Sequence, residues 1–215
     1  MRFDRRVFSP ADDTGACDDK QAGEDEQGDD KQGDDAQGGG GAPRTDSKPG
    51  GYLASTDLPH RYSRTTDLAE FRARANTATL AFYDYWDGKR RGRPMPARAD
   101  LDPVEMVSWL KCIQIIEVFH NPRRLKYRLV GELEVESRGF NPTGRWVEDG
   151  FIGLNKDDVL HNYNTVIDGR GLLYDWGEYV CGDGYLRWQE TIFLPLSSDG
   201  ELIDRVITYT VTRGV

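Results

Sequence analysis

Histidine is the side chain best suited to proton transfer near neutral pH, and this chain of 215 residues has three of them. His60 and His120 lie in segments that predict a linker and a hairpin turn, whereas His161 lies in the middle of a predicted helix beside predicted strands. An imidazole there could ligate haem iron or act as a general base. Because no neighbouring carboxylate has a spacing that defines a partner, a partly exposed helix residue is the favoured interpretation of His161.

Paired carboxylates are the second group that could do chemistry. Glu148–Asp149 and Asp157–Asp158 have the residue types of general acids or metal ligands, but both pairs fit better as loop residues and helix N-terminal charges. The sequence has no phosphate-binding glycine loop, no H-E-x-x-H and no G-x-S-x-G. Cys17, Cys112 and Cys181 are too scattered for a zinc site or a disulfide framework. We therefore predict no catalytic residue, no metal site and no enzyme.

A short basic run, Lys89–Arg93, is the candidate for binding the phosphate groups of a nucleic acid. Aspartates flank it at Asp84, Asp87, Asp100 and Asp102, and neither aromatic stacking positions nor a recognition helix follow it. The arginines can pair with these aspartates, so we interpret the run as a joint between two structured parts. Nucleic-acid binding through Lys89–Arg93 is the less favoured alternative.

The acidity of the chain is concentrated in residues 12–35. Eleven Asp and Glu against two Lys give this window a net charge of −9, equal to that of the whole chain. The window has no aromatic residue, so it cannot bury enough apolar surface to offset a backbone ordering cost of roughly 1–2 kcal/mol per residue. We predict that residues 1–50 are a disordered acidic tail rich in Gly and Gln. Neither a signal peptide nor an apolar stretch of about 20 residues is visible, which predicts a cytoplasmic protein that does not bind membranes.

A helix is predicted from Thr66 to Trp86, with Thr66 as its N-cap and Gly88 as its stop. Apolar residues recur along it at helical spacing and form one stripe. The stripe can pack on the chain's own domain or on the same helix of a second chain, and the sequence does not choose. The residues that would form such a dimer interface are Leu68, Phe71, Ala75, Phe82 and Trp86.

The rest of the chain alternates between helix and strand patterns. A short helix capped by Asp102 is predicted after the basic joint, with Val104, Met106, Val107 and Leu110 facing inward. A hairpin around "HNP", a string of small helices, a helix capped by Asn155 and ending at Gly169, and three hairpin-linked strands follow. Two strands before the helices and three after them predict an α+β domain with a single antiparallel sheet.

Three quoted segments resemble a known family. "YWDGKRRGRPMPARADLDPVEM", then "YRLVG", then "GFNPTGR" are similar to successive signatures of a bacterial stand-alone PAS-like family. The resemblance runs from about residue 80 to the C-terminus. It implies a PAS-like fold, with a five-stranded antiparallel sheet, short helices on one face and an N-terminal flanking helix. It also implies that Gly139, Thr143, Gly144 and Arg145 hold a turn between the short helices.

The resulting domain prediction has three parts: a tail at 1–50, a linker with the flanking helix and basic joint at 51–98, and a PAS-like domain at 99–215. The resemblance implies a non-catalytic sensory or regulatory domain in signal transduction. Such domains act through protein contacts, hold small ligands, and often form homodimers through the flanking helix. The alternative, from another class, is a small enzyme that uses a cone-shaped cavity with His161 or a carboxylate as base.

A ligand cavity is expected between the sheet and the helices. Its predicted apolar and aromatic lining, with two polar handles, consists of Tyr127, Leu129, Tyr163, Trp188 and Ile192, and of Arg145 and His161. The resemblance makes haem and flavin the cofactors to consider, but no motif in the sequence supports either. Only His161 lies on the relevant helix for haem, and Asn-Cys-Arg-Phe-Leu-Gln, which accompanies covalent flavin chemistry, is absent. The cofactor, the ligand and the protein partner stay open.

Overall fold

The computed structural model describes residues 62–151, 156–180 and 186–213. The predicted acidic tail, the helix cap at Asn155 and the "GDG" turn at 182–184 lie outside the described residues. The described residues form five α-helices: α1 Leu68–Arg74, α2 Thr77–Lys89, α3 Glu132–Arg138, α4 Val147–Gly150 and α5 Lys156–Gly169. The strands are β1 Tyr62–Thr65, β2 Ile113–His120, β3 Arg123–Val130, β4 Leu173–Val180, β5 Leu186–Leu196 and β6 Arg205–Arg213.

All the strands belong to one antiparallel sheet in the order β1-β4-β5-β6-β2-β3. The five predicted strands are present in the predicted chain order, which confirms the α+β fold class. The sheet nevertheless has six strands, because Tyr62–Thr65, predicted as linker, pairs along β4. This segment is too short and too polar to stand out as a strand, and its pairing with β4 gives it strand structure.

The predicted N-terminal helix is two helices, so the single helix from Thr66 to Trp86 was wrong. Asp67 caps α1, since its Oδ1 accepts from the Glu70 backbone N–H at 2.7 Å. Ala75 is extended, and Asn76 then caps α2 by accepting from the Thr79 N–H at 2.8 Å. A side chain that caps the second helix competes with continuation of the first, which places the break at Ala75 and Asn76.

Helices α1 and α2 cover one face of the sheet, which we call the α2 face. Phe71 of α1 contacts Tyr174 of β4 with ring centroids 5.2 Å apart. Phe82 of α2 contacts Tyr209 of β6 with ring centroids 5.0 Å apart. Ile192 of β5 lies between the two tyrosines in the register of the sheet, and all five side chains are buried. This face is an aromatic and aliphatic core.

The stripe predicted as a dimer interface lies largely inside this core. Phe71, Phe82 and Trp86 are 0%, 1% and 4% exposed, and the Trp86 Nε1–H donates to the Pro195 carbonyl at 3.0 Å. Ala75 is partly buried against the same core, and Leu68 alone of the five is exposed. The chain's own sheet covers the stripe, so Phe71, Phe82 and Trp86 are not available to a second chain in this fold.

The opposite face of the sheet is covered by α3 and α5, and we call it the α5 face. Successive strand residues point to opposite faces, so Phe193 points away from the α2 face that Ile192 joins. Phe193 contacts Tyr163 of α5 with ring centroids 5.3 Å apart. Thr208 pairs with both Phe193 and Gln114 in the register, which places these residues on the α5 face.

The segment between α2 and β2 forms turns and two short 3-10 helices, Arg98–Asp100 and Leu110–Cys112. The helix predicted after Asp102 is absent there, because the Asp102 side chain accepts from the Val104 N–H at 2.9 Å and starts a turn. Met106 is buried as predicted, but Val104 and Val107 are 80% and 70% exposed, so their predicted inward orientation was wrong. Among the described residues no helix has the length and apolar character needed to cross a bilayer.

Candidate functional site

Three polar side chains meet in the interior of the α5 face. Gln114 stands on β2 between buried isoleucines, and Glu134 and Arg138 lie one turn apart on α3. The Gln114 Nε2 donates to Glu134 Oε2 at 2.7 Å, and an Arg138 nitrogen donates to the same oxygen at 2.7 Å. Arg138 also donates to Gln114 Oε1 at 3.2 Å, which closes the triangle. The triangle fixes α3 against β2 through directional bonds.

The charges of this triangle are almost withdrawn from solvent. The side chains of Arg138 and Glu134 are 7% and 11% exposed. Burial lowers the pKa of the Arg138 guanidinium, but the charge of the Glu134 carboxylate and the charge and hydrogen bonding of the Tyr127 phenol oppose it and leave that pKa above its ordinary value. Burial also raises the pKa of Tyr127, so its phenol stays neutral beside the guanidinium. A buried ion pair of this kind is weak as a source of stability, because desolvation offsets most of the attraction.

Two polar atoms next to the triangle lack a hydrogen-bond partner among the described residues. One is the Arg138 Nε, and the other is the hydroxyl of Thr208, which lies opposite Gln114 in the sheet. Thr208 is 1% exposed. By contrast, the Thr210 hydroxyl on the same strand lies 3.2 Å from the Thr191 hydroxyl and is satisfied. Buried polar atoms are usually paired, so these two atoms require an explanation.

A second polar cluster lies between α5 and β4. The Asn162 Nδ2 donates to Asp175 Oδ2 at 2.6 Å, and both side chains are buried. Burial raises the pKa of Asp175 to about 7, although the Tyr179 hydroxyl, the Arg64 guanidinium and Asn162 each favour the ionised form. Asp175 is therefore the described carboxyl group that changes charge near neutral pH.

Tyr163 is another buried polar residue of the α5 face. It is 3% exposed, and burial raises the pKa of its phenol well above the ordinary value. The charges of Tyr127, Arg138 and Asp175 also act on this phenol. The interior of the α5 face thus contains several buried polar groups beside its apolar core.

The residues predicted to line one cavity are divided between the two faces. Tyr127 and Tyr163 lie together in the interior of the α5 face. Ile192 belongs to the α2 face, and Leu129 pairs with Ile115 on that same face. Trp188 is four residues before Ile192 on β5 and shares its face by the strand alternation. A single cavity lined by all of them is therefore not formed.

The two predicted polar handles are both exposed. Arg145 lies in the turn before α4, with its guanidinium carbon 5.3 Å from the Phe140 ring centroid. The neighbouring Gly139 and Gly144 have φ of 71° and 85°, which confirms the predicted turn and its need for glycine. His161 lies on the outer side of α5, with its Nε2 3.4 Å from the Thr165 hydroxyl. Neither side chain reaches the buried polar groups.

Three of the four cations of the basic joint pair with neighbouring carboxylates. Arg90 pairs with Asp87 at 2.8 Å, Arg93 pairs with Asp100 at 2.6 Å, and Lys89 pairs with Glu105. These pairs fit the predicted role as a joint and leave fewer free cations for a phosphate backbone. Within the described ranges, no three His, Cys, Asp or Glu side chains come together as a metal site.

Four buried polar residues were not predicted from the sequence: Gln114, Glu134, Arg138 and Asp175. The i,i+4 spacing of Glu134 and Arg138 was a visible signal for a helix pair. Gln114 and Asp175 each interrupt a strand of large apolar residues, which is the pattern of a buried polar position. That they lie under α3 and α5 depends on contacts between distant segments.

Comparison with known proteins gives one family match. Residues 74–169 match the model of a PAS domain. A solved structure titled "Structure of an RNA-binding Light-Oxygen-Voltage Receptor" is similar over 53% of this chain and 33% of that chain, with 15% sequence identity and a TM-score of 0.39. This chain therefore spans about a third of that protein's length. No curated protein matches the chain.

Proposed function

We propose, from the match of residues 74–169 to the model of a PAS domain, that the chain is a non-catalytic sensory or regulatory domain that binds a small ligand inside the α5 face. In this proposal ligand binding changes contacts with a protein partner. The proposal rests mainly on one observation, the buried Arg138 Nε and Thr208 hydroxyl without a partner among the described residues.

The energetic argument concerns those two groups. A buried donor without an acceptor costs about 1–3 kcal/mol, so a fold with such groups gains stability from any ligand that satisfies them. The two groups lie on different elements, α3 and β6, with Gln114 between them. One compact ligand with a hydrogen-bond acceptor toward Arg138 and a polar atom toward Thr208 would join α3 to the sheet.

The charge of the site constrains the chemistry of the ligand. Glu134 already neutralises Arg138 at 2.7 Å, and Tyr127 and Tyr163 stay neutral because burial raises their pKa values. An additional net charge would have no counter-ion in this interior and would carry a large desolvation cost. We therefore propose an uncharged polar ligand, such as a small amide, ketone or alcohol, with apolar parts against the aromatic rings.

The register of β6 suggests how binding reaches the other face. Thr208 points to the α5 face, and the next residue, Tyr209, points to the α2 face and contacts Phe82 of α2 at 5.0 Å. A ligand that shifts β6 at Thr208 would also shift Tyr209 against α2. The surface of α2 and the turns after it are thus the proposed region of contact with a protein partner or a second copy of the chain.

The first test is native mass spectrometry of the purified full-length chain without added ligand, followed by thermal-shift screening of neutral polar metabolites. We expect either a retained small molecule or a compound that raises the melting temperature in proportion to RT ln(1 + [L]/Kd). The mass spectrum also gives the oligomeric state. A chain without a retained ligand and without a thermal shift across the library would contradict the ligand-sensing part.

The matched pair for this test is Thr208→Val and Thr210→Val. Both changes replace a hydroxyl by a methyl group on the same strand, but the hydroxyl of Thr208 faces the proposed ligand whereas that of Thr210 contacts Thr191. We expect Thr208→Val to weaken ligand binding about tenfold, as for one lost hydrogen bond, and Thr210→Val to leave it nearly unchanged. Equal effects in both variants would place the ligand elsewhere.

In the alternative of a small enzyme, the candidate general base is Asp175 rather than His161. Asp175 is buried and has a pKa of about 7, which suits a general base, whereas His161 is exposed on α5. This alternative predicts an enzymatic turnover that is abolished in Asp175→Asn and unchanged in His161→Ala, with both variants still folded. Turnover lost with His161→Ala would instead support the histidine version.

A further inference from the structure

The α2 face carries a cleft that the proposed ligand site does not use. Its volume is about 370 Å³, within the range of small-molecule sites, and it is lined by Arg98, Ile115, Arg128, Leu129 and Arg205. Ile115 pairs with Leu129 on one side and with Ile207 on the other, so the cleft lies over the β6-β2-β3 part of the sheet. Its floor is aliphatic, and its three charged residues all carry guanidinium groups.

The three guanidinium groups have few anionic partners. Arg128 is exposed and forms no ion pair with any described residue. Arg98 donates to the Leu101 carbonyl at 3.0 Å, and no ion pair joins it to a carboxylate of the described residues. Arg205 lies 3.3 Å from Asp204, whose other oxygen accepts from Ser198. Two carboxylates are nearby: Asp204, and Glu117, which pairs with Arg205 in the register of the sheet. Two negative charges do not cancel three positive ones.

A β-bulge places Arg128 at this site. Leu129 pairs with Ile115 and Tyr127 pairs with Ile116, so Arg128 is an extra residue on β3 without a partner on β2. Bulges change the direction of a side chain where the ladder is interrupted. Here Arg128 lines the same cleft as Leu129, although neighbouring residues of a regular strand would point to opposite faces.

The segment that carries Arg98, another lining residue of the cleft, is held in place by its own hydrogen bonds. Arg98 begins a 3-10 helix in which the Asp100 side chain accepts from the Ala97 N–H at 2.7 Å and from Arg93 at 2.6 Å. The two preceding residues connect this segment to the sheet, since the Pro96 carbonyl accepts from the Ser197 N–H at 3.0 Å. The backbone that carries Arg98 is therefore fixed before any ligand arrives, which lowers the entropic cost of binding.

We propose that this cleft binds a small organic anion, with its apolar body on Ile115 and Leu129 and its phosphate or carboxylate group among Arg98, Arg128 and Arg205. Guanidinium groups match the planar, bidentate geometry of both anionic groups. The site is on the opposite face from Thr208 and Arg138, and it favours a charged ligand where the interior favours a neutral one. It therefore does not depend on the ligand proposed for the α5 face.

The test uses the full-length chain and the aromatic sulfonate dye 8-anilino-1-naphthalenesulfonate, whose fluorescence rises on binding to an apolar surface. Wild type is compared with Arg128→Ala and with Arg123→Ala, which removes the same charge from the same strand roughly 17 Å away. Arg123 pairs with Asp168 at 2.8 Å and does not line the cleft. We expect the dye's Kd to rise about tenfold in Arg128→Ala and to stay within about twofold in Arg123→Ala.

Three competitors with the same ring identify the anionic group: phenyl phosphate, benzoate and neutral benzyl alcohol. Displacement by phenyl phosphate alone assigns the cleft to organic phosphates, and displacement by both anions assigns it to organic anions in general. In either case we expect benzyl alcohol to be ineffective and added salt to weaken binding. Arg128→Glu, which reverses the charge at an exposed position, should abolish the displaceable fraction without changing the melting temperature.

Three results would overturn the proposal. They are dye binding that is equal in wild type and Arg128→Ala, displacement by benzyl alcohol as effective as by the two anions, and an equal loss in Arg123→Ala. The first would place the dye outside the cleft, the second would make the site purely apolar, and the third would reduce it to general surface charge.

Discussion

The two faces of the sheet are built differently although they share the same six strands. On the α2 face, Phe71 packs on Tyr174 and Phe82 packs on Tyr209. Trp86 is buried there and donates to the Pro195 carbonyl, and one carboxylate also contacts the helices. That carboxylate is Glu190, which accepts from the Thr79 hydroxyl at 2.6 Å and from the Asn76 N–H at 3.1 Å. On the α5 face, Gln114, Glu134, Arg138, Asn162 and Asp175 are all inside or nearly so.

The two faces therefore contribute different kinds of interaction to the fold. Burial of large aromatic side chains contributes most of the free energy of folding, and the α2 face concentrates it. Buried polar groups contribute little net stability and need precise partners, so a fold retains them more readily where a ligand or a switch uses them. The α2 face therefore has the larger aromatic core, and the α5 face has the polar interior on which the proposal of a neutral ligand rests.

Phe82→Ala should give the largest effect, because it removes a 1% exposed aromatic ring from the α2 face. We expect the free energy of unfolding to fall by about 3–5 kcal/mol, the usual cost of Phe→Ala in a core. Urea unfolding followed by tryptophan fluorescence measures it. A change in oligomeric state at nearly constant monomer stability would instead show that Phe82 serves an interface between chains, and would break the comparison.

Asp175→Asn tests whether the α5 face contains a buried carboxyl group that changes its protonation near neutral pH. The folded pKa of about 7 lies above the ordinary value of 3.8, so the native state holds a proton between these values that the unfolded state has lost. Stability from the neutral carboxyl is therefore complete below pH of about 4 and is lost as the pH rises through about 7. Asparagine keeps the bond to Asn162 and cannot ionise.

The measurement is urea unfolding of wild type and Asp175→Asn at pH 5 and pH 8. We expect wild type to lose about 2–3 kcal/mol of stability relative to Asp175→Asn between pH 5 and pH 8, because each pH unit between the two pKa values costs about 1.4 kcal/mol. Asp199→Asn is the control of opposite sign. Backbone N–H groups of Leu202 and Glu201 lower the Asp199 pKa to about 2, so its contribution is lost only as the pH falls toward that value. A wild-type stability that does not change between pH 5 and pH 8 would show that Asp175 is ionised throughout.

Much of the fold was predictable because strand alternation and turn residues act locally. Leu125 and Tyr127 are buried and Lys126 between them is partly exposed, as strand alternation requires. The break at Asn76 was missed because Ala75 and Thr77 continue an apolar helical pattern, and the capping bond that decides it involves one side chain. The edge strand β1 was missed because its four residues become a strand only through β4.

The candidate site was harder to predict than the fold, because its partners come from distant parts of the chain. Tyr127 and Tyr163 were found from the strand and helix patterns, and both are in the interior of the α5 face. His161 was weighed for its residue type, yet only the packing of α5 shows that it points to solvent. Gln114 and Thr208 become neighbours through the pairing of β2 with β6, which no spacing in the sequence reveals.

The smallest expected effect is the change in stability of Thr208→Val and Thr210→Val. The signs of these two changes give the most specific test of the difference between the two faces. In the ligand-free protein, Thr208→Val removes a buried hydroxyl that has no partner among the described residues, and we expect a gain of about 1 kcal/mol. Thr210→Val breaks the contact with Thr191 and should cost about 1 kcal/mol. Melting temperatures of the two variants, measured on ligand-free protein, should therefore move in opposite directions. A loss of stability in both would mean that the Thr208 hydroxyl is already satisfied inside the folded chain, and the α5 face would then lose the polar group that most favours a ligand there.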